Sequence, residues 1–100
     1  MATAAAVEIG SLIEVDPDIR EGRPCLAGTG VTVHRVVGWY KLGLTPEEIA
    51  ERIGHLSMAQ VHAALAYYHA NQRQIDTDIA ADEAEADRLE RQHRASRAER

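Results

Sequence analysis

The sequence contains no phenylalanine, a single cysteine, Cys25, and only four aromatic residues among its 100 positions. Because one cysteine cannot form an internal disulfide, we expect no covalent support for the fold and a reducing, cytosolic compartment. No apolar run approaches the roughly 20 residues that cross a bilayer, so a membrane-spanning helix is excluded. Alanine supplies 17 of the 45 hydrophobic residues, which leaves 28 larger ones for a core. A core this small predicts that a second copy or a partner buries further surface.

Basic residues are also few, since 11 lysines and arginines stand against 16 acidic residues, for a net charge of −5. This balance lacks the general basic character of nucleic-acid-binding proteins. The charges are unevenly distributed, because residues 76–87 include six acids and no base, and arginine then occupies every third position from 88 to 100. The asymmetry predicts that residues 72–100 form a separate, charged helical tail. Residues 1–11 are expected to be a flexible leader without the features of a secretory signal.

Short strands and turns are predicted before the first helix. Residues 12–15 alternate apolar and polar side chains, and Asp16-Pro17 ends the alternation. Residues 25–27 and 31–33 form two further β-type segments between glycines. A hairpin of this size is marginally stable in water, so we expect a homodimer that pairs these N-terminal strands.

Helical periodicity and capping motifs follow. The apolar face of a predicted first helix, ended by Gly43, carries Val33, Val36, Val37 and Tyr40. Thr45-Pro46-Glu47-Glu48 is a capping box that begins a second helix, and Gly54 ends it. A second capping box, Ser57-Met58-Ala59-Gln60, begins a longer helix. The apolar side of this third helix carries Met58, Val61, Leu65 and Tyr68. A short helix, a glycine turn and a long helix predict a helix-turn-helix domain over residues 12–71.

Five motifs in this order resemble one known family. They are Ile13-Glu14-Val15-Asp16-Pro17, Gly22-Arg23-Pro24, Gly28-Thr29, Leu42-Gly43-Leu44-Thr45-Pro46-Glu47-Glu48-Ile49 and Gln60-Val61-His62-Ala63-Ala64-Leu65-Ala66-Tyr67-Tyr68. Over about residues 13 to 79 the chain resembles the domain of unknown function 433 (DUF433) family. The resemblance implies a small, mainly α, prokaryotic protein. Its expected fold is a homeodomain-like or winged helix-turn-helix core of three helices, with short N-terminal β-strands and a C-terminal helical extension.

The resemblance also implies a function. Many such proteins resemble the antitoxin of a type II toxin–antitoxin pair, encoded beside a PIN-like ribonuclease toxin. We therefore expect a cytoplasmic antitoxin that neutralises such a toxin and represses its own operon. The alternatives are a DNA-binding regulator without a toxin, and a dimerisation or scaffold module. One departure from the family pattern is Gly30, where the family commonly has an arginine after the Gly-Thr pair.

DNA contacts are expected at the start of the third helix, which enters the major groove in helix-turn-helix proteins. The candidate residues are Ser57, Gln60 and His62 for base or phosphate contacts, and Arg35, Lys41 and Arg52 for the phosphate backbone. Glutamine suits an adenine edge. The alternative is that Ser57 and Gln60 only cap the helix and that His62 is solvated. No lysine or arginine lies between Arg52 and Arg73, which weakens the case for DNA binding by this helix.

Metal binding and catalysis are not expected. His55, His62 and His69 recur every seven residues, but two helical turns separate successive ligands by about 10 Å along the axis, too far for one zinc ion. A metal site shared between subunits is the alternative. Cys25 has no adjacent cation to activate it, and Gly28-Thr29-Gly30 lacks the context of a nucleotide-binding loop. We therefore expect neither a cofactor nor enzymatic activity.

The tail carries the predicted toxin-binding residues. These are Ile75, Ile79, Arg88, Arg91, Arg94 and Arg97. The arginines are expected to form a basic stripe along one side of a helix that becomes ordered on binding. The family resemblance implies a PIN-type nuclease with an acidic, magnesium-binding pocket, which a guanidinium can enter with bidentate geometry. The alternative is a solvated, partly frayed helix without a partner.

Overall fold

The computed structural model of the chain describes residues 6–98, and residues 1–5 of the predicted leader lie outside that range. The described chain divides into two compact units, residues 6–70 and residues 71–98, which are treated separately below. The fold is mainly α with short N-terminal strands, as the sequence predicted.

The first unit begins with irregular structure around a minimal sheet. A 3-10 turn, Ile9–Leu12, includes residues 9–11 of the predicted leader and leads into strand β1, Ile13–Glu14. A second 3-10 turn, Arg20–Gly22, precedes strand β2, Cys25–Leu26. The two strands are antiparallel, with Ile13 opposite Leu26 and Glu14 opposite Cys25.

The prediction of a third strand over residues 31–33 is wrong. Only an isolated bridge between Thr32 and Cys25 forms there. Thr32 is instead the N-cap of the first helix, and its hydroxyl accepts a hydrogen bond from the Arg35 amide at 3.0 Å. Capping requires the extended backbone of Thr32 to turn into a helix at Val33, so the β-branched residues cannot extend the sheet.

Three helices complete the unit: α1, Val33–Lys41, α2, Pro46–Ile53, and α3, Met58–Ala70. Both predicted capping boxes are present, and Gly54 ends α2 in the left-handed conformation that favours glycine. Helix α3 packs against both α1 and α2. Fully buried side chains from the strand and the three helices form the core: Cys25, Leu26, Val33, Val36, Val37, Ile49 and Val61.

The second unit is one long helix. After Asn71, helix α4 spans Gln72–Ala98, 27 residues. Ile75 is buried, whereas every residue from 80 to 98 is exposed. Within residues 6–98, no helix combines the length and the apolar character that a membrane span needs.

Candidate functional site

The helix-turn-helix places the first turn of α3 at the surface. Gly54 has φ +85°, and its amide donates to the Ala50 carbonyl oxygen at 2.9 Å, which closes α2. The chain then turns over residues 54–57, with Leu56 buried beneath the turn. Ser57 and Met58 follow as exposed residues, so the end of α3 that would meet a DNA groove is accessible.

Ser57 and Gln60, predicted as base contacts, are engaged with each other. The Ser57 amide donates to Gln60 Oε1 at 2.8 Å, and the Gln60 amide donates to Ser57 Oγ at 3.1 Å. This reciprocal pair satisfies two helix N-terminal amides. A bidentate contact from Gln60 to adenine would require its side-chain oxygen to leave this cap.

The exposed side of α3 carries small or weakly polar side chains. It carries Ala59, His62, Ala66 and His69. His62 is thus solvent-accessible, as both interpretations of its role require, but no cation accompanies it on the helix. Phosphate contacts in this region would therefore have to come from other elements.

The three predicted phosphate contacts come from two helices, α1 and α2. Arg35 lies in the first turn of α1 and Lys41 at its last residue, about 9 Å apart along the axis. The Lys41 ammonium is 5.9 Å from the centre of the Tyr68 ring, and the Arg52 guanidinium is 5.4 Å from the centre of the Trp39 ring. These cation–π contacts partly engage two of the three cations within the domain.

An apolar groove of about 430 Å³ lies between the N-terminal segment of the first unit and α3. Its lining comprises Ile9, Gly10, Ile13, Val15, Ala63, Ala66, Tyr67 and Ala70. Val7, Ile9 and Val15 are exposed large hydrophobic residues on the N-terminal segment that contributes one wall. This surface was not predicted from the sequence, because alanines on a helix do not distinguish a groove from an ordinary helix face. The apolar residues Ile9 and Val15, on either side of β1, were the feature that could have indicated it.

Helix α4 places the predicted toxin-binding residues in two environments. Ile75 is buried and Ile79 half-buried, whereas Arg88, Arg91, Arg94 and Arg97 are exposed. At 100° per residue, each arginine is rotated by about 60° from the preceding one. The four therefore spread over about half of the helix circumference. The arginines thus follow a gradually rotating stripe, with Arg88 and Arg91 at its N-terminal end and Arg94 and Arg97 at its C-terminal end.

Local ion pairs engage part of this arginine cluster. Arg88 binds the Glu85 carboxylate through two nitrogens, and Arg94 donates to Glu90 at 2.7 Å. Arg91 Nε donates to the Asp87 carbonyl oxygen at 3.4 Å. Arg97 in the last turn of α4 also suits the helix dipole, whereas the first turn has no acidic residue. The local ion pairs and Arg97 thus stabilise the C-terminal half of the helix.

Neither a metal nor an activated thiol is indicated. Within residues 6–98, no three histidine, cysteine or acidic side chains are grouped as metal ligands, and His55, His62 and His69 are separate exposed residues. Burial raises the pKa of the Cys25 thiol, an effect that Arg20 opposes and Glu14 reinforces. A raised pKa keeps the thiol protonated and poorly nucleophilic.

The family model described as protein of unknown function (DUF433) matches residues 13–68, from β1 to near the end of α3. The chain belongs to the DUF433 family. A solved structure of a DUF433 member protein from Anabaena variabilis is similar to it, with a TM-score of 0.65 and 27% sequence identity over 70% of this chain and 69% of that one. No curated protein matches the chain. The DUF433 match ends before α4, so the family model leaves this helix undescribed, as it does residues 1–12.

Proposed function

We propose that this DUF433 protein is a cytoplasmic, non-enzymatic antitoxin of a type II pair and that α4 binds and neutralises a PIN-like ribonuclease toxin. The observation that carries the proposal is the exposure of every residue from 80 to 98 within a continuous helix. Helices in globular proteins gain most of their stability from packing of an apolar face. A helical segment this long without such packing is suited to a partner.

The surface chemistry of α4 suits an acidic partner. Leu89 is 52% exposed on a segment otherwise made of charged, polar and small residues, and it supplies an apolar contact beside the arginines. The ion pairs of Arg88 and Arg94 are solvent-exposed, and such pairs stabilise a protein by about 0–1 kcal/mol each. Breaking these ion pairs to bind carboxylates of a nuclease pocket therefore costs little free energy. A bidentate contact between an arginine and a carboxylate in a desolvated pocket is stronger than the exposed pairs it replaces.

This proposal is tested by co-expressing the chain with the PIN-like ribonuclease toxin encoded beside it and measuring growth. Truncation after Glu83 removes the four predicted toxin-binding arginines but keeps Ile75 and Ile79, and every described residue that it removes is exposed. We expect it to abolish protection of growth while the first unit retains its melting temperature. Arg88→Glu/Arg91→Glu and Arg94→Glu/Arg97→Glu test the two arginine pairs separately, and Arg73→Glu is the matched control at the other end of α4. Full protection by the truncated chain would place the inhibitory surface elsewhere.

The apolar groove supports the homodimer expected from the N-terminal strands. β1 borders the groove, and Ile9 and Val15 expose apolar surface beside small residues such as Ala66. Burial of such surface drives association at about 25 cal/mol per Å². Sedimentation should report a dimer that Ala66→Glu dissociates, while Ala59→Glu, outside the groove on the same helix, leaves it intact. A monomeric unmodified chain at micromolar concentration contradicts the dimer.

Operator binding is the second candidate function, and the accessible first turn of α3 favours it. DNA retardation at low salt, with and without the toxin, tests it. Arg52→Ala should weaken binding to all sequences and reduce the salt slope, whereas Gln60→Ala should relax specificity. Because Gln60 also caps α3, the melting temperature of Gln60→Ala is measured alongside its DNA binding, so that a lost cap is distinguished from a lost base contact. Absence of retardation under all of these conditions would limit the helix-turn-helix to a packing role.

A further inference from the structure

A concavity of about 180 Å³ lies beside the N-terminal end of α1 and is lined by two arginines from different elements. Arg20 comes from the turn before β2, and Arg35 comes from the first turn of α1. Gly30, Val31 and Thr32 complete the lining, so among the described residues no carboxylate borders it. We propose that this concavity binds a phosphate group through the guanidinium groups of Arg20 and Arg35. The inference does not depend on the antitoxin role.

The Arg20 side chain is oriented before any ligand binds. Its Nε donates to the Gly30 carbonyl oxygen at 3.0 Å, across ten residues of chain. A guanidinium has five N–H donors, so this bond leaves the four on the terminal nitrogens. This bond holds one edge of the Arg20 guanidinium against the wall of the concavity. Arg20 therefore loses less side-chain conformational entropy on binding a ligand than a freely rotating surface arginine would.

The charges around this concavity favour binding of an anion. The first turn of α1 contains no acidic residue, although carboxylates are favoured at that position. Arg35 instead places a cation near the positive end of the helix dipole, and Arg20 adds a second one. Within residues 6–98, neither guanidinium forms an ion pair. An anion between them would relieve their mutual repulsion and the unfavourable interaction with the dipole.

The side chains, rather than the helix amides, would hold this anion. The Val33 amide donates to the Pro24 carbonyl oxygen at 2.9 Å, and the Arg35 amide donates to Thr32 Oγ1 at 3.0 Å. These bonds occupy amides that would otherwise point at a ligand. Two guanidinium groups present more N–H donors than the two oxygens of one carboxylate can accept. A phosphate has more oxygens and a double charge, so it can accept from both guanidinium groups. Phosphate is therefore the expected ligand group, either free or within a nucleic-acid backbone.

Titration of the isotope-labelled full chain with inorganic phosphate, at ionic strength held constant with chloride, tests the site by NMR. We expect saturable shifts at the amides of Gly30, Val31 and Thr32 and at the Nε groups of both arginines. Arg35→Gln should weaken binding about tenfold or more, the usual effect of removing a charge-assisted hydrogen bond. Arg73→Gln, which removes an exposed arginine from α4, should leave it unchanged.

Arg20 needs paired variants because its side chain also orders the turn. Arg20→Gln should abolish saturable binding, and Arg20→Lys should restore part of it by returning the charge without the fork. Unchanged amide shifts in the helices identify variants that keep the fold. Arg35→Gln carries the test alone if the turn rearranges. The proposal would be overturned if neither phosphate nor DNA caused saturable shifts, or if Arg20→Gln and Arg35→Gln bound phosphate as tightly as the unmodified chain.

A second arm distinguishes the two sources of phosphate. Random-sequence duplex DNA at low salt should perturb the same amides and displace phosphate if the ligand is a nucleic-acid backbone. In that case Arg35→Gln should reduce the salt slope by about one. Saturable phosphate binding that DNA does not disturb would instead assign the concavity to a small phosphate compound.

Discussion

Thr45 and Glu48 cap α2 reciprocally: the Glu48 amide donates to Thr45 Oγ1 at 3.2 Å, and the Thr45 amide donates to a Glu48 carboxylate oxygen at 2.9 Å. The bond from the Thr45 amide is the largest cause that lowers the pKa of Glu48, and the Thr45 hydroxyl and Arg52 lower it further. Gln60 occupies the equivalent position at the start of α3, where its neutral amide oxygen accepts from Ser57. The two helices thus begin with the same geometry and different sensitivity to protons.

The first prediction concerns this difference. A carboxylate whose pKa is lower in the folded state stabilises the fold fully above its unfolded pKa, and that contribution is lost as the pH falls through the folded pKa. Glu48→Gln should therefore reduce the loss of unfolding free energy between about pH 5 and pH 3. Gln60→Glu should add such a loss at α3. Urea unfolding across this range checks both changes, and parallel stability curves for Glu48→Gln and the unmodified chain would contradict the assignment.

The second prediction compares two glycines with different backbone requirements. Gly54 has φ +85°, whereas Gly38 lies inside α1, where an added Cβ would meet no atom within 4 Å. Gly54→Ala should destabilise the domain by about 1 kcal/mol, and Gly38→Ala should stabilise it by about 0.5–1 kcal/mol. Thermal unfolding of both variants provides the measurement. Equal effects of the two substitutions would show that the left-handed turn after α2 is not required.

Local chemistry explains which elements were predictable. Capping boxes and Gly54 define helix ends through interactions within a few residues, so α2 and the start of α3 follow directly from sequence. Thr32 shows the limit. Its β-branched neighbours suggested a strand, but its hydroxyl and the helical spacing of the following valines favoured a helix N-terminus. Two valid local patterns overlapped, and packing of α1 into the core decided between them.

The candidate surfaces were less predictable because they depend on residues far apart in sequence. Arg20 and Arg35 line one concavity only because the turn before β2 lies against the start of α1. The groove likewise combines an N-terminal segment with α3. The arginines of the tail were found from charge alone. Their directions around α4 required the helical rotation per residue, which separates Arg88 from Arg97 by about half a turn.

The third prediction concerns the core. Ile49 is the fully buried residue of α2, a helix that packs against both α3 and α1. Ile49→Ala should lower the unfolding free energy by about 2–5 kcal/mol through lost apolar burial and the cavity that remains. Leu89→Ala on the exposed part of α4 should change it by less than about 0.5 kcal/mol. Chemical denaturation of both variants checks this contrast, and a small effect at Ile49 would mean that α2 contributes little to the core.

The last prediction concerns Cys25, which is 1% exposed in β2. Its Sγ donates to the Arg23 carbonyl oxygen at 3.4 Å, and burial raises the pKa of the thiol despite the opposing effect of Arg20. Thiolate formation and reagent access therefore both require β2 to open. A thiol reagent at about pH 8 should modify the native chain orders of magnitude more slowly than the denatured chain. If opening is global, Ile49→Ala should accelerate the native reaction by the same factor by which it raises the unfolding equilibrium constant, whereas an unchanged rate would assign the reaction to local opening of the strand pair. Modification of the native chain as fast as of the denatured chain would contradict the buried position of Cys25.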